Sequence, residues 1–204
     1  QKQLSYLGFK VSEGGVSVDE EKITRIKNWP TPRNVTEIRS FLGLASFYRR
    51  FVEGFSKIAS PMTKLGGKNS KFEWSSDCET AFQTLKSKLQ ETPILAFPDF
   101  DPKNPYFLDV DASNEAIGGV LMQEQKGQMR VIGYWSRALS TPEKKYCVTR
   151  KEMLAVYYFC QYFRPLILGH KTIVRTDHGS LRWYRNIKNP EGQTARWIVR
   201  LEEY

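Results

Sequence analysis

The sequence predicts an α/β protein, more narrowly α+β, in which a helical module is followed by a domain with a mixed sheet. Three observations predict it. Apolar residues recur at helical spacing through residues 19–92, and alternation with a period of two takes over after about residue 105. Between them, Ile94 to Pro105 is rich in Pro and Asp and follows neither period, as a seam between modules does. The expected division is 1–18 as a terminal hairpin, 19–92 as the helical module and 93–204 as the mixed-sheet domain.

In chain order, the apolar runs Leu4 to Val11 and Val16 to Val18 flank the turn Glu13-Gly14-Gly15 and read as a hairpin. Asp19 can cap a helix in which Ile23, Ile26 and Trp29 repeat, and Pro30 and Pro32 end it. Asn34 and Glu37 form a cap pair ahead of Ile38, Phe41, Leu42, Ala45, Tyr48 and Val52, the strongest helical stripe in the chain. The other flank of that helix carries Arg39, Arg49 and Arg50, which is either a solvated face or one that touches phosphates. Ser56 to Leu65 reads as a shorter helix and Lys64 to Ser70 as an exposed turn. Ser76 with Glu79 has the spacing of a cap for a helix through Ala81, Phe82, Leu85 and Leu89, closed by Pro93.

The second part opens with three consecutive strands, Tyr106 to Asp111, Ile117 to Gln123 and Arg130 to Ala138, which pair antiparallel with a turn at Gly127. Thr149 and Glu152 stand at capping-box spacing ahead of a helix through Met153, Val156, Tyr157 and Cys160, which Pro165 should end or kink. Lys171 to Asp177 returns to strand, and Ser180 to Asn186 and Thr194 to Glu203 are helical candidates.

Composition limits what the chain can do. At 204 residues, 40% hydrophobic and 13% aromatic, it can bury real cores. Its apolar runs fall far short of the ~20 residues a membrane-spanning helix needs, and no signal peptide opens it. A soluble, intracellular protein with no membrane partner is expected. Cys78, Cys147 and Cys160 lack metal-ligand spacing and read as reduced thiols. The net charge of +9 divides as +5 and +4 either side of Thr92, a spread that suits a surface tracking a polyanion as well as an ordinary basic protein.

Three acids stand at comparable places: Asp111 where a strand ends, Glu152 at the start of a helix, and Asp177 where a later strand ends. Each has an ordinary reading alone, as a solvated strand end, a capping residue and a turn former. If the strand of Asp177 lies parallel to that of Asp111, through a crossover containing the Glu152 helix, both aspartates emerge at one end of the sheet. Three carboxylates so grouped repel one another unless divalent cations occupy them. Two Mg²⁺ ions roughly 4 Å apart would activate a water and stabilise the leaving oxygen of a phosphodiester.

The segments VDASNEAIGGVLMQ, TRKEMLAVYYF and VRTDHGSL resemble the ribonuclease H domain of gypsy-type LTR retrotransposon reverse transcriptases, part of the Pol polyprotein. YLGFKVS resembles the end of the polymerase palm hairpin, and KITRIKNWPTP and EIRSFLGLASFYRRF resemble the thumb and connection region. The likeness runs through essentially the whole chain. It implies a ribonuclease H-like fold and metal-dependent endonucleolytic cleavage of RNA in RNA–DNA hybrids. The family's carboxylates fall on Asp111, Glu152 and Asp177, with two Mg²⁺, or Mn²⁺, as the ions. Asp109 matches no catalytic position. The implied partners are an RNA–DNA hybrid or primer–template duplex and the remainder of the Pol polyprotein, and the implied location is cytoplasmic particles and the nucleus. The resemblance places the polymerase aspartates before Gln1, and a further strand and a helix with a fourth aspartate after Tyr204. The rival expectations are a non-catalytic nucleic-acid-binding module and a structural connector.

Overall fold

A computed structural model describes residues 3–67, 72–177, 179 and 192–204. The chain forms two compact units, residues 1–97 with 133–136, and residues 98–132 with 137–204.

The first unit begins with an antiparallel meander of β1 (Gln3–Tyr6), β2 (Phe9–Ser12) and β3 (Gly15–Val18). The expected hairpin is its second half. The apolar run Leu4 to Val11 is itself folded back at Leu7 and Gly8, both at positive φ, so one predicted strand is two. Helix α1 (Glu20–Lys27) starts where Asp19 accepts from the Glu21 amide at 2.9 Å. Helix α2 (Val35–Phe47) starts where Asn34 accepts from the Glu37 amide at 2.9 Å. The apolar stripe predicted through Val52 does not stay helical: Tyr48 closes α2 and a 3-10 turn, Arg49–Phe51, follows. Tyr48, Phe51 and Val52 are nevertheless buried, because the turn returns them to the core of Ile38, Phe41 and Ala45.

Helix α3 (Phe55–Leu65) follows, and then α4 (Ser76–Gln90). The predicted cap of α4 is corrected by one residue. Ser75, not Ser76, accepts from the Cys78 amide, at 3.3 Å. Glu79 is drawn elsewhere, accepting from Trp74 Nε1 at 2.7 Å and from Gln83 Nε2 at 2.8 Å. Leu95 then pairs with Val16 of β3, so the segment after Pro93 belongs to this unit. Residues 68–70 of the predicted turn lie outside the described residues.

A four-stranded sheet of order β6-β5-β4-β7 comprises β4 (Tyr106–Ala112), β5 (Ala116–Gln125), β6 (Gln128–Ala138) and β7 (Thr172–Arg175), all within the second unit except residues 133–136 of β6. Strands β4 and β5 are antiparallel, with Val110 opposite Gly119, and a two-residue turn at Lys126 and Gly127, both at positive φ, reverses β5 into β6. Strand β7 runs parallel to β4, with Asp109 opposite Arg175. The sheet is therefore mixed, as expected. The crossover contains the short α5 (Thr141–Lys144), the long α6 (Val148–Tyr162) and the short α7 (Arg164–Ile167), and α8 (Gly192–Leu201) follows β7. Pro165 sits in the first turn of α7, where its missing N–H costs nothing. The predicted helix from Ser180 to Asn186 lies outside the described residues.

Helix α6 decides where the site lies, and Gly119 decides how close α6 comes. A Cβ on Gly119 would stand 2.7–2.9 Å from ring atoms of the fully buried Phe159 of α6, closer than carbon atoms tolerate. Helix and sheet approach at this point because one residue has no side chain. Gly119→Ala is expected to destabilise the chain by about 1–3 kcal/mol, the cost of overpacking a rigid core, and urea unfolding measures it. An unchanged midpoint would show that Phe159 can move aside freely.

Candidate functional site

The β4 and β7 strands are parallel, so their C-terminal ends lie on the same side of the sheet. Asp111 stands at the end of β4, and Asp177 two residues beyond the end of β7. Glu152 reaches them from α6. The three carboxylates each present an oxygen within 4.8 Å of the others, with Asp111 and Asp177 exposed and Glu152 buried. Strand, helix and crossover strand thus bring together residues 66 positions apart in the chain.

The capping box expected of Thr149 and Glu152 does not form. Helix α6 begins earlier, with Cys147 at the cap position and no side-chain cap bond, and Glu152 lies a turn inside it. The reason is burial: Lys151 to Val156 are all enclosed, so the helix is covered on more than one face and Glu152 is turned inward. Only 4% of the residue is exposed.

Burial makes this carboxyl unusual. Desolvation first, then the negative charges of Asp111 and Asp177, push Glu152 up to about 7, against a hydrogen bond from the Ala112 amide that favours its charged form. Among the described residues, its Oε2 is buried without a hydrogen-bond partner. Glu143 shows the opposite case in the same unit: Arg137 grips it at 2.8 and 3.0 Å and the Ser140 amide donates to it, so it is held down at about 2. A buried carboxylate oxygen with no donor, beside two more carboxylates, fits a divalent cation with hard oxygen preference.

Asp109 shares none of this. Arg175, its partner across the parallel strands, donates to both its oxygens at 2.5 and 2.8 Å. It is already neutralised and stands outside the cluster.

The three predicted arginines part company. Arg39 is exposed and donates to the Gly66 carbonyl at 2.9 Å. Arg50 is exposed on the 3-10 turn. Arg49 does not lie on a solvated helix flank: it is half-buried, with its guanidinium over the Trp135 ring at 4.6 Å and the Phe55 ring at 5.4 Å, and donates to Ser56 Oγ at 3.0 Å and to the Ser136 carbonyl. The break between α2 and the 3-10 turn rotates it inward. Sequence patterning also passes over Lys151 and Asn114, whose side chains meet at 2.8 Å beside the cluster. A lysine next to a glutamate inside an apolar helical run was the available signal.

A mixed sheet with acids converging on one end, fed by a crossover helix, defines a ribonuclease H-like domain. Residues 101–204 match the RNase H-like domain found in reverse transcriptase, and the chain belongs to that family, in the form carried by gypsy-type retrotransposon Pol polyproteins. It is similar to the retrovirus-related Pol polyproteins of Drosophila melanogaster transposons 412, 34% identical over 99% of this chain, and 297, 37% identical over 100% of it. It spans 16% and 19% of the lengths of those two relatives. Among solved structures, the foamy viral protease-reverse transcriptase in complex with RNA/DNA hybrid aligns with a TM-score of 0.79 at 24% identity, over 100% of this chain and 28% of that one. The same viral protein in complex with dsDNA gives 0.78 at 25% identity, over 99% of this chain and 42% of that one.

In metal-free protein the raised Glu152 carries a definite pH signature. Between the ordinary value of 4.5 and about 7, the folded chain keeps a proton that the unfolded chain has released. Stability is therefore full below that window, falls as pH rises through it, and stays lower above it. Glu152→Gln, neutral throughout, should be more stable than the parent by on the order of 2–3 kcal/mol at pH 8 in chelator, with the difference vanishing near pH 4. Denaturant midpoints at the two pH values measure this, and a pH-independent difference would mean that Glu152 ionises as an exposed acid does.

Proposed function

We propose that the chain is the thumb-to-ribonuclease H portion of a retrotransposon reverse transcriptase and that its second unit cleaves the RNA strand of RNA–DNA hybrids. The observation that carries this is the convergence of Asp111, Glu152 and Asp177 within 4.8 Å, with a buried, donorless oxygen on Glu152. Family membership and the net charge of +9 support it, and the foamy viral relative in fold was solved on an RNA/DNA hybrid.

Asp111, Glu152 and Asp177 would hold two Mg²⁺ ions, with Mn²⁺ able to replace them. When bound, such ions supply Lewis acidity at the scissile phosphate and an acidified water as nucleophile. The residues do the rest. Glu152 is fixed in the packed face of α6 and held by the Ala112 amide, so it sets the depth of the site. Asp111 and Asp177 are exposed and face incoming phosphate, whose negative charge they would repel without cations between. Affinity comes from basic side chains on the phosphate backbone, and the RNA strand is distinguished by its 2′-hydroxyls and helical shape.

The partners are an RNA–DNA hybrid or primer–template duplex and the remainder of the Pol polyprotein, without a membrane. Among the described residues no helix is long and apolar enough to cross one. The location is intracellular, in cytoplasmic particles and the nucleus. Residues 19–92 act as a thumb, with Arg39 and Arg50 on phosphates and Arg49 holding the 3-10 turn in place.

Two experiments test the reading. In protein carrying these residues within its Pol reading frame, Asp111→Asn should abolish Mg²⁺-dependent cleavage of labelled hybrid while leaving hybrid affinity in chelator unchanged, because it removes a ligand and no basic group. Chelator-resistant cleavage would sink the metal mechanism, and binding without cleavage by the parent protein would favour a non-catalytic module. Second, Arg39→Ala and Arg50→Ala should each flatten the log–log salt dependence of hybrid binding by about one unit, with stability within about 0.5 kcal/mol. Arg49→Ala should instead lose about 2 kcal/mol of stability, since its guanidinium is stacked and hydrogen-bonded. The reverse pattern would move the binding surface onto Arg49.

A further inference from the structure

Lysine is rarely enclosed, yet Lys151 of α6 is only 6% exposed. Its ammonium donates to Asn114 Oδ1 at 2.8 Å, and an apolar side chain of similar length would fill the space without the cost of burying a charge. Asn114 lies in the turn that leaves Asp111, between β4 and β5. That turn is a stiff block. The Ser113 hydroxyl donates to the Ala116 carbonyl at 2.9 Å and accepts from the amides of Ala116 at 3.0 Å and Glu115 at 3.3 Å. The Ser113 amide also donates to the Ala116 carbonyl, at 2.8 Å. A second tether joins Lys144 of α5 to Glu115 at 2.6 Å. Just before the block, the Ala112 backbone amide lies where it favours the charged form of Glu152. The turn that follows Asp111 is thus joined to the helix bearing Glu152 by the Lys151 ammonium on Asn114.

We propose that Lys151 is a positioning residue: through Asn114 it fixes the turn after Asp111 against α6, and so sets the spacing of Asp111 and Glu152 on which divalent-cation affinity depends. This rests on the reading of the cluster as a metal site. Two carboxylates on different elements make a cation site only while the elements hold register. A buried charge with one fixed acceptor resists sliding better than an apolar contact, because any shift leaves the ammonium unpaired.

The test uses Mn²⁺ alone as probe, titrated by its electron paramagnetic resonance, on the parent chain and on Asp111→Asn, Lys151→Met, Asn114→Ala and the Lys151→Met/Asn114→Ala double variant. Asn114 is exposed, so its variant folds even if Lys151→Met does not. The expected result is a 10- to 100-fold loss of Mn²⁺ affinity in each single variant, of the size seen when groups that orient metal ligands are removed. The double variant should be no worse than either, because both remove one contact. Hybrid affinity in chelator should not change. Amide hydrogen exchange at Ala112, read without metal, should quicken in both single variants. Unchanged Mn²⁺ affinity together with unchanged Ala112 exchange in folded Asn114→Ala overturns the proposal. If the parent binds Mn²⁺ no better than Asp111→Asn, the metal reading itself fails, and Ala112 exchange alone then decides whether Lys151 positions this turn.

Discussion

The enclosure of one carboxylate is the constraint on which the second unit depends. Glu152 is 4% exposed on a helix whose neighbouring positions are packed, and two more acids act on it with like charge. A folded chain tolerates this only if the surrounding contacts overrule it. Those contacts are the aromatic and aliphatic face of α6, with Phe159 and Cys160 fully covered, and the bare backbone of Gly119 that lets Phe159 approach. The electrostatic strain at one end of α6 is held in place by dispersion and apolar burial at the other.

That division of labour follows from topology. Parallel strands need a crossover, and a crossover helix lies across the sheet it serves. With β7 beside β4, the helix between them crosses the strand ends where Asp111 and Asp177 emerge, and its early turns come nearest to them. The first unit works differently. Its helices carry no comparable cluster among the described residues, and its notable polar group, Arg49, meets two aromatic rings, a hydroxyl and a carbonyl.

Much of this was legible in the sequence where a single periodicity ruled. The strands around Asp111, the cap at Asn34 and the two-part architecture follow from local pattern, and the three acids could be grouped once a parallel crossover was assumed. What local pattern hides is the choice between equivalent local solutions. Ser75 and Ser76 are both competent caps, and the indole of Trp74 engages Glu79 in the fold that selects the former. Thr149 and Glu152 satisfy the spacing of a capping box, but tertiary burial of Lys151 to Val156 outweighs the small gain of a cap. Arg49 lies in phase with a basic flank until the helix breaks at Tyr48 and turns it inward.

The acids of the second unit show how a functional group separates from a structural one of the same type. Glu143 and Asp109 each meet an arginine in bidentate geometry and need nothing further. Glu152 has one backbone amide, a bare oxygen and two like charges. Spacing in the sequence does not distinguish these cases, since both glutamates stand in early helical turns and Asp109 shares a strand face with Asp111. The distinction is whether the fold supplies the countercharge itself. Where it supplies one, the acid is part of the scaffold; where a buried glutamate stands against two exposed aspartates, the oxygens gathered there have the hard-ligand chemistry that a divalent cation prefers over an ammonium or a guanidinium.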